Sequence, residues 1–474
     1  MSVFEASVSQ SEIPSADNGS RLARDPRVAI VGGGYVGLAL AAHLVTSGHA
    51  VDLVEIDRER RLVLQEGRVP VHEPGLDSVL EWATKKGLLQ VTADLAAALD
   101  ASRMVFVAVG TPPGESDEPD LRAITAVAAQ VRACARPGTV LVIKSTVPPG
   151  TGRRIQGQLH GPPFTVPVVS CPEFLREGSA LHDMRAAPRH VIGGEDREAM
   201  RRVEEVVCVA QAEVVMTDWT SAELIKYGSN SFLALKISFV NELARFAEAE
   251  GADITQVAYG MGLDPRIGAQ GMRAGLGFGG SCFPKDVRAL IGAGDRHGIG
   301  FAALRATMDV NHGQRALFVE KIRRAVGGTL RGTRVAVLGL AFKPCTDDMR
   351  EACSLDVIQL LLEQGCRVAA HDPCASSTAE PLLPAQVMLA ADPYSCVLGA
   401  DAAAVVTEWP EYVRLDWARA RSTMRRPVLV DGRNCLNPAE MARLGFQYHS
   451  VGRPPCGPRR TSNQHEAPTE AASA

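Results

Sequence analysis

The chain lacks any apolar run of about eighteen residues, the length a membrane-spanning helix needs, so no such helix is expected. It also lacks an excess of charge: 50 Lys and Arg stand against 54 Asp and Glu, a formal net charge of −4. That excludes a globally basic nucleic-acid binder and a polybasic membrane patch. The eleven cysteines show neither a CxxC pair nor a Cys/His metal spacing. Their odd number and scatter argue against a disulfide framework and for reduced thiols, with no metal site. The first 24 residues, MSVFEASVSQSEIPSADNGSRLAR, have no apolar core and do not read as a secretory signal. A cytoplasmic protein is expected. Its 474 residues leave room for about three domains.

Short β-branched runs alternate with helical stretches. Strands are expected at 27–31, 51–56, 104–109, 140–143, 166–170 and 213–216, of the kind buried on both faces in a parallel sheet. From about Asp218 the pattern changes. Residues 221–250 hold no proline, and Thr220-x-x-Glu223 reads as a capping box at the start of a long helix. Its segment 232–243 is apolar almost all round, which suggests a core connector or a dimer spine. The β/α alternation returns at 334–338, 367–370, 402–406 and 428–430. The polar segment before 27 and the Pro-rich one after about 452 read as disordered tails.

The first expected strand runs into Gly32-Gly33-Gly34-Tyr35-Val36-Gly37 and then a helical stretch. This G-x-G-x-x-G spacing suits a dinucleotide. Gly32 allows the tight turn, Gly34 lets a pyrophosphate approach, Gly37 lets the helix pack on the strand, and the helix N-terminus donates to phosphate. Glu55 follows 18 residues after Gly37, where an acid would accept from a ribose diol. Its charge favours NAD over NADP. Asp57 is the alternative ribose ligand, and Arg58, Arg60 and Arg61 pull mildly toward a 2′-phosphate.

A second glycine cluster, Gly271, Gly275, Gly277, Gly279 and Gly280, precedes Ser281-Cys282-Phe283-Pro284-Lys285-Asp286. Pro284 suits the first turn of a helix. Cys282 at that N-terminus, with Lys285 close by, is expected to have a lowered pKa and to act as a nucleophile. Lys226 and Asn230 share a face of the long helix, continued by Ala234, Ile237 and Asn241, and aim donors at a cleft.

Eight collinear segments carry a resemblance: VAIVGGGYVGLALA, VHEPGL, KSTVPPGTG, CPEFLREGSA, ELIKYGSNSFLALKISFVNE, GFGGSCFPKD, LGLAFKPCTDD and TEWPEY. Over about residues 27–437 the chain resembles the nucleotide-sugar 6-dehydrogenase family. The resemblance implies an α/β fold of two Rossmann-like, doubly wound domains joined by a long central helix and a helical middle. The parts would be an NAD-binding domain at 27–217, a dimerisation domain with the cysteine loop at 218–325, and a UDP-sugar-binding domain at 326–453. Residues 1–26 and 454–474 would be tails. It further implies a four-electron oxidation of a sugar C6 hydroxyl to a carboxylate with two NAD per turn, UDP-glucose being the best-matched substrate.

By motif, Cys282 would be the nucleophile, and Lys226 and Asn230 the oxyanion donors. Asp286 would handle protons with a water. Glu177 would partner the hydrolytic water and Thr146 would position it. NAD would meet the fingerprint residues including Tyr35 and Val36, with Glu55, Thr111, Thr146 and Lys285. The sugar nucleotide would meet Glu173, Phe174, Leu175, Arg176, Phe278, Gly279, Phe342, Lys343 and Arg433, together with Lys226 and Asn230. For Glu173 a structural carboxylate is the competing reading. Arg266 in DPRIG resembles the family arginine that reaches a neighbouring subunit, which implies at least a homodimer. Cys345 and Ala352-Cys353 depart from the family's usual Asn and Ser-Pro, at no assigned catalytic position. The alternatives are a GDP-mannose dehydrogenase and a non-catalytic NAD- and sugar-nucleotide-binding protein. The GGSCFPKD form argues against the N-acetylhexosamine branch, whose loop usually has His before Cys and lacks that lysine.

Overall fold

The computed structural model describes residues 24–114, 117–209 and 211–458. Two sheets form, one toward each end of the chain. The first contains β1 (Arg24–Val31), β2 (His49–Val54), β3 (Leu89–Thr92), β4 (Ser102–Val107), β5 (Val140–Ile143), β6 (Val168–Ser170), β7 (Arg189–Gly193) and β8 (Glu213–Thr217). Their spatial order is β3-β2-β1-β4-β5-β6-β7-β8. Pairing is parallel except where β6 meets β7, at Ser170 and Gly193. Successive strand residues point to opposite faces. Val28, Ile30, Met104 and Phe106 therefore enter one core, and Ala29, Val31, Val105 and Val107 enter another on the far face. Covering both faces is why these strands read as continuous apolar runs.

The second sheet contains β9 (Arg334–Leu338), β10 (Arg367–His371), β11 (Met388–Leu389), β12 (Ala402–Val405), β13 (Val428–Asp431) and β14 (Gln447–Ser450), in the order β11-β10-β9-β12-β13-β14. All its pairs are parallel. In both sheets the chain starts in the middle, moves outward one way, then crosses back and moves the other way. That is the doubly wound order, whose ligand crevice lies where the direction reverses. The sequence pattern did not reveal β3, β7, β11 or β14.

Between the sheets lies a long helix, Trp219–Glu250, followed by helices Ile254–Gly262, Phe283–Asp295 and Ala302–Ala325. The capping box expected at Thr220 is not the one used. Asp218 caps the long helix, accepting from the Ser221 N–H at 3.0 Å. Glu223 is instead turned to the N-terminus of the helix Thr151–Leu159. There its carboxylate accepts from the backbone of Gly150 at 2.6 Å and Gly152 at 2.7 Å, and from the Ser170 hydroxyl. A capping acid has thus become a rivet between the long helix and the first sheet.

The long helix buries one face, which carries Ala234, Ser238 and Asn241 among others. Phe232, Phe239 and Phe246, seven residues apart, are 60%, 52% and 63% exposed. Residues 454–458 of the expected C-terminal tail are in place, as are 24–26 of the expected N-terminal one at the start of β1. Cys456 exchanges both backbone bonds with Tyr448. The remaining tail residues at either end, before 24 and after 458, lie outside the described residues. Among the described residues no helix is long and apolar enough to cross a membrane.

Glu223→Ala is expected to lower stability by about 2–3 kcal/mol, because it strips two backbone N–H groups and a buried hydroxyl of a charged acceptor. Thermal melting compared with wild type checks this, and an unchanged melting temperature would refute the rivet.

Candidate active site

The ends of β1, β2, β4, β5 and β6 open on one crevice. At the end of β1, Gly32 turns with φ +111°, a conformation that side chains rarely adopt. A Cβ at Gly37 would collide with the Gly32 carbonyl oxygen, so glycine is needed for the helix Tyr35–Thr46 to pack on the turn. Gly34 differs: a Cβ there would meet nothing within 4 Å, and no side chain caps the helix it begins. Free N–H donors beside open space are what a pyrophosphate requires. Val36 lies in the first turn of this helix.

Glu55, just past β2, is buried. Its carboxylate accepts from Gly33 N–H at 2.9 Å and from Asp57 N–H at 2.8 Å. Asp57, the alternative ribose ligand, is committed elsewhere as the cap of the next helix, accepting from Arg60 N–H. Arg61 bonds the carbonyls of Glu55 and Ile56 rather than facing the crevice as a phosphate clamp. Past β4 and β5, the Thr111 hydroxyl donates to the Thr146 carbonyl at 2.9 Å and ties the two strand ends together. The donor set fits NAD.

The reactive cluster sits beside this crevice. Cys282 is the cap residue of the helix Phe283–Asp295, with Pro284 in its first turn. Lys226 is buried and bonds Glu173 Oε1 at 3.0 Å, while its ammonium lies 5.3 Å from the centre of the Phe174 ring. Arg189 covers that same ring at 4.1 Å. Asn230, one turn along from Lys226, donates to Asp286 at 2.6 Å, and Lys285 bonds the other Asp286 oxygen at 2.7 Å.

The expected lowering of the Cys282 pKa is not found. Burial, then the charge of Glu173, push the thiol up, and Lys226 and a bond from Ser281 pull it only part of the way back. Lys285 is instead paired with Asp286. The effective cation is Lys226. Burial works against its charge, yet Glu173, the Cys282 sulfur and Asp286 raise it above the ordinary lysine value.

Other expected site residues fall into place around this centre. Glu177 accepts from the Ser281 hydroxyl at 3.0 Å and pairs with Arg350 at 3.3 Å. Leu175 N–H donates to Glu173, and Arg176 is held by Asp183. Phe278 is buried edge-to-face against Phe283, its backbone clasped by Asn311. Gly279 and Gly280 press on Glu351 and Phe342 so closely that a side chain at either would clash. These glycines are required by contact with the protein itself, where the sequence suggested contact with a ligand.

A cavity of about 610 Å³ lies between the middle helices and the second sheet, with Arg273, Arg414 and Arg433 in its lining. Arg433 also clamps the glycine loop, donating to the Gly277 and Val406 carbonyls. Lys343 does not line this cavity. It sits near Phe342, with Glu177 and Glu73 as its anionic neighbours. Arg266 is 87% exposed, paired with Asp264, and does not reach its own chain's centre.

Residues 26–209, 220–313 and 336–438 match, in turn, the NAD binding, central and UDP binding domains of one family. The chain belongs to the UDP-glucose/GDP-mannose dehydrogenase family. It is 43% identical to a UDP-glucose 6-dehydrogenase of Pseudomonas aeruginosa, over 91% of this chain and 98% of that one. A Rhizobium meliloti UDP-glucose 6-dehydrogenase is 42% identical over 90% of this chain and all of that protein. A solved UDP-glucose dehydrogenase from Pyrobaculum islandicum superposes with a TM-score of 0.83 at 38% identity, covering 91% of this chain and 98% of that one. Within the family frame, the geometry brings in four residues that sequence patterns missed: Ser281, Arg350, Arg273 and Arg414. Ser281 and Arg350 lie in or directly beside segments already singled out, but a lone hydroxyl or arginine carries no spacing signal.

Glu55→Ala is expected to weaken NAD binding at least tenfold and to narrow the preference for NAD over NADP. Titration of each dinucleotide by protein fluorescence checks this. Unchanged NAD affinity would mean that another group reads the ribose.

Proposed function

We propose that this chain oxidises C6 of UDP-glucose to the carboxylate, giving UDP-glucuronate, through a covalent intermediate on Cys282. The observation that carries the reading is the convergence at one crevice of a thiol, a buried ammonium and two carboxylates. Stopping at an aldehyde needs only a base. Going on to an acid needs a nucleophile, an oxyanion site and a place for water. NAD accepts the hydride in each oxidation. Cys282 adds to the C6 aldehyde as a thiohemiacetal, which the second oxidation turns into a thioester. Lys226 and Asn230 stabilise the oxygen charge at each stage, and Asp286 handles protons with a water. For the water that releases the acid, Glu177 and Glu173 are the two candidate carboxylates: Glu177 is turned to Ser281 beside Cys282, and Glu173 is bonded to Lys226 and felt by the thiol. The arginine-lined cavity suits a diphosphate. Both ligands are metabolites of the cytoplasm, where this reading places the protein. We take the three parts as 27–217, 218–325 and 326–453, supported by two separate sheets and the helices between.

We further infer at least a homodimer. Besides the bare Phe232–Phe239–Phe246 stripe, Tyr259 and Leu263 at the following helix are each 66% exposed. A contiguous apolar surface of this kind calls for a partner. A second copy of the long helix, in antiparallel or crossed contact, would cover it and carry Arg266 toward the other subunit's nucleotide.

Two NADH should form per UDP-glucose, counted by absorbance against limiting substrate. Cys282→Ala should abolish acid formation, and full turnover by that variant would sink the covalent mechanism. GDP-mannose should turn over far more slowly. Arg266→Ala should weaken UDP-glucose binding while sparing NAD. Mixed with Cys282→Ala it should regain part of the activity, since one site of a mixed dimer has both groups. No complementation despite demonstrated subunit exchange would refute the shared site.

A further inference from the structure

Two hydrogen bonds in line lead away from the sulfur. Cys282 Sγ lies 3.5 Å from the Ser281 hydroxyl, and that hydroxyl donates to Glu177 Oε1 at 3.0 Å. The other Glu177 oxygen, Oε2, is buried without a hydrogen-bond partner. The carboxylates nearer the thiol are poorly placed to take its proton. Glu173 is held by the Lys226 ammonium and the Leu175 N–H, and both Asp286 oxygens are taken, by Lys285 and Asn230.

We propose that Ser281 is a catalytic relay that passes the Cys282 thiol proton to Glu177. This rests on the reading of Cys282 as the nucleophile. The thiol proton moves to Ser281 Oγ as the serine's own proton moves to Glu177 Oε1. The S–H and the original serine O–H bonds break, and a new serine O–H and a carboxyl O–H form. One negative charge passes from Glu177 to sulfur, and nothing is oxidised. The Ser281 hydroxyl then points at the thiolate it has created. When the thioester is cleaved, the same chain returns the proton.

The surroundings suit a proton carrier. Glu177 faces Asp348 and Arg350 from one segment, Lys343 from the strand end before it, and Tyr35 from the fingerprint helix. Burial and the neighbouring Asp348 push it up to about 8, against the pull of Arg350 and Ser281. Burial opposes the charge of Asp348 too, but the fork of bonds from Arg350 keeps that carboxyl low, so Glu177 is the member of the pair that takes up the proton. A base near the proton affinity of a thiol exchanges with it at little cost. Arg350 feels both Glu177 and Cys282, so it stabilises the charge at either end of the transfer.

The test reads the thiol itself, in the full-length protein without cofactor. Alkylation of Cys282 by iodoacetamide is followed from about pH 6 to about pH 10 by peptide mass spectrometry, which separates it from the other cysteines. Cys282 is partly accessible. In wild type the rate should rise through an inflection near the Glu177 value of about 8. Ser281→Ala should remove that inflection and slow alkylation roughly tenfold near neutral pH, one unit of thiol pKa. Glu177→Gln should remove the inflection as well, and Ser281→Thr, which keeps the hydroxyl, should restore it. An unchanged profile in Ser281→Ala or in Glu177→Gln would overturn the relay, as would a Thr variant no better than Ala. The profile reports a proton and not turnover. A failure here therefore leaves the nucleophile to be judged by Cys282→Ala alone.

Discussion

The buried ammonium of Lys226 is the constraint on which the proposed catalytic centre depends. Taking a charged lysine out of water costs several kcal/mol unless it is paired and bonded. Here the partner is Glu173, past the end of β6, and the floor is the Phe174 ring. Lys226 comes from the long helix, and the thiol beside it comes from the glycine loop that caps the helix Phe283–Asp295. Three separate stretches of chain must meet for the charge to be tolerated. Removing one member of such a pair typically costs about 3–5 kcal/mol, so the centre is held together by the same interaction that gives it chemistry. The raised thiol pKa follows from the same arrangement, because the carboxylate that satisfies the lysine also faces the sulfur.

Much of this architecture is legible in the amino-acid sequence. The strands of both sheet interiors stand out because burial on two faces demands unbroken apolar runs. The fingerprint glycines are legible because each answers a separate need: Gly32 turns and Gly37 packs as their spacing implies, and Gly34 faces open space. What escapes are β3, β11 and β14, short edge strands with a mix of exposed and buried residues, and β7, whose Arg-His start masks its buried remainder. A pattern of two or four residues cannot be told from a loop when one side faces water.

The local electrostatics are less legible than the fold. Thr220-x-x-Glu223 has the spacing of a capping box, yet Asp218 stands closer to the right geometry and frees Glu223 for a distant helix. Lys285 is three residues from Cys282, and Lys226 is far away in sequence, yet the near lysine is paired with Asp286 and the far one is the cation that pulls the thiol down. Both outcomes turn on which acid reaches which donor first, and that is a property of packing. The glycines of 275–280 teach a similar lesson. Their number signals close approach, but the approaching surface is residues 351–352, Phe342 and the 432 turn of the second α/β half, with Asn311 of the middle helices.

The Tyr35 hydroxyl, inside the fingerprint, donates to Asp347 at 2.7 Å, and the His72 N–H reaches the same oxygen. These bonds join the fingerprint helix and the His72 segment of the first α/β half to Asp347 of the second. The arginine-lined cavity, in contrast, is walled only by residues 254–274 and 408–435. A rotation of the first half away from the rest would break the Tyr35–Asp347 bond and open the crevice, yet leave every wall of that cavity in place. On the proposed reading, in which one sugar nucleotide is kept while the dinucleotide is exchanged, Tyr35 lies on a contact that can open without disturbing the arginine-lined cavity.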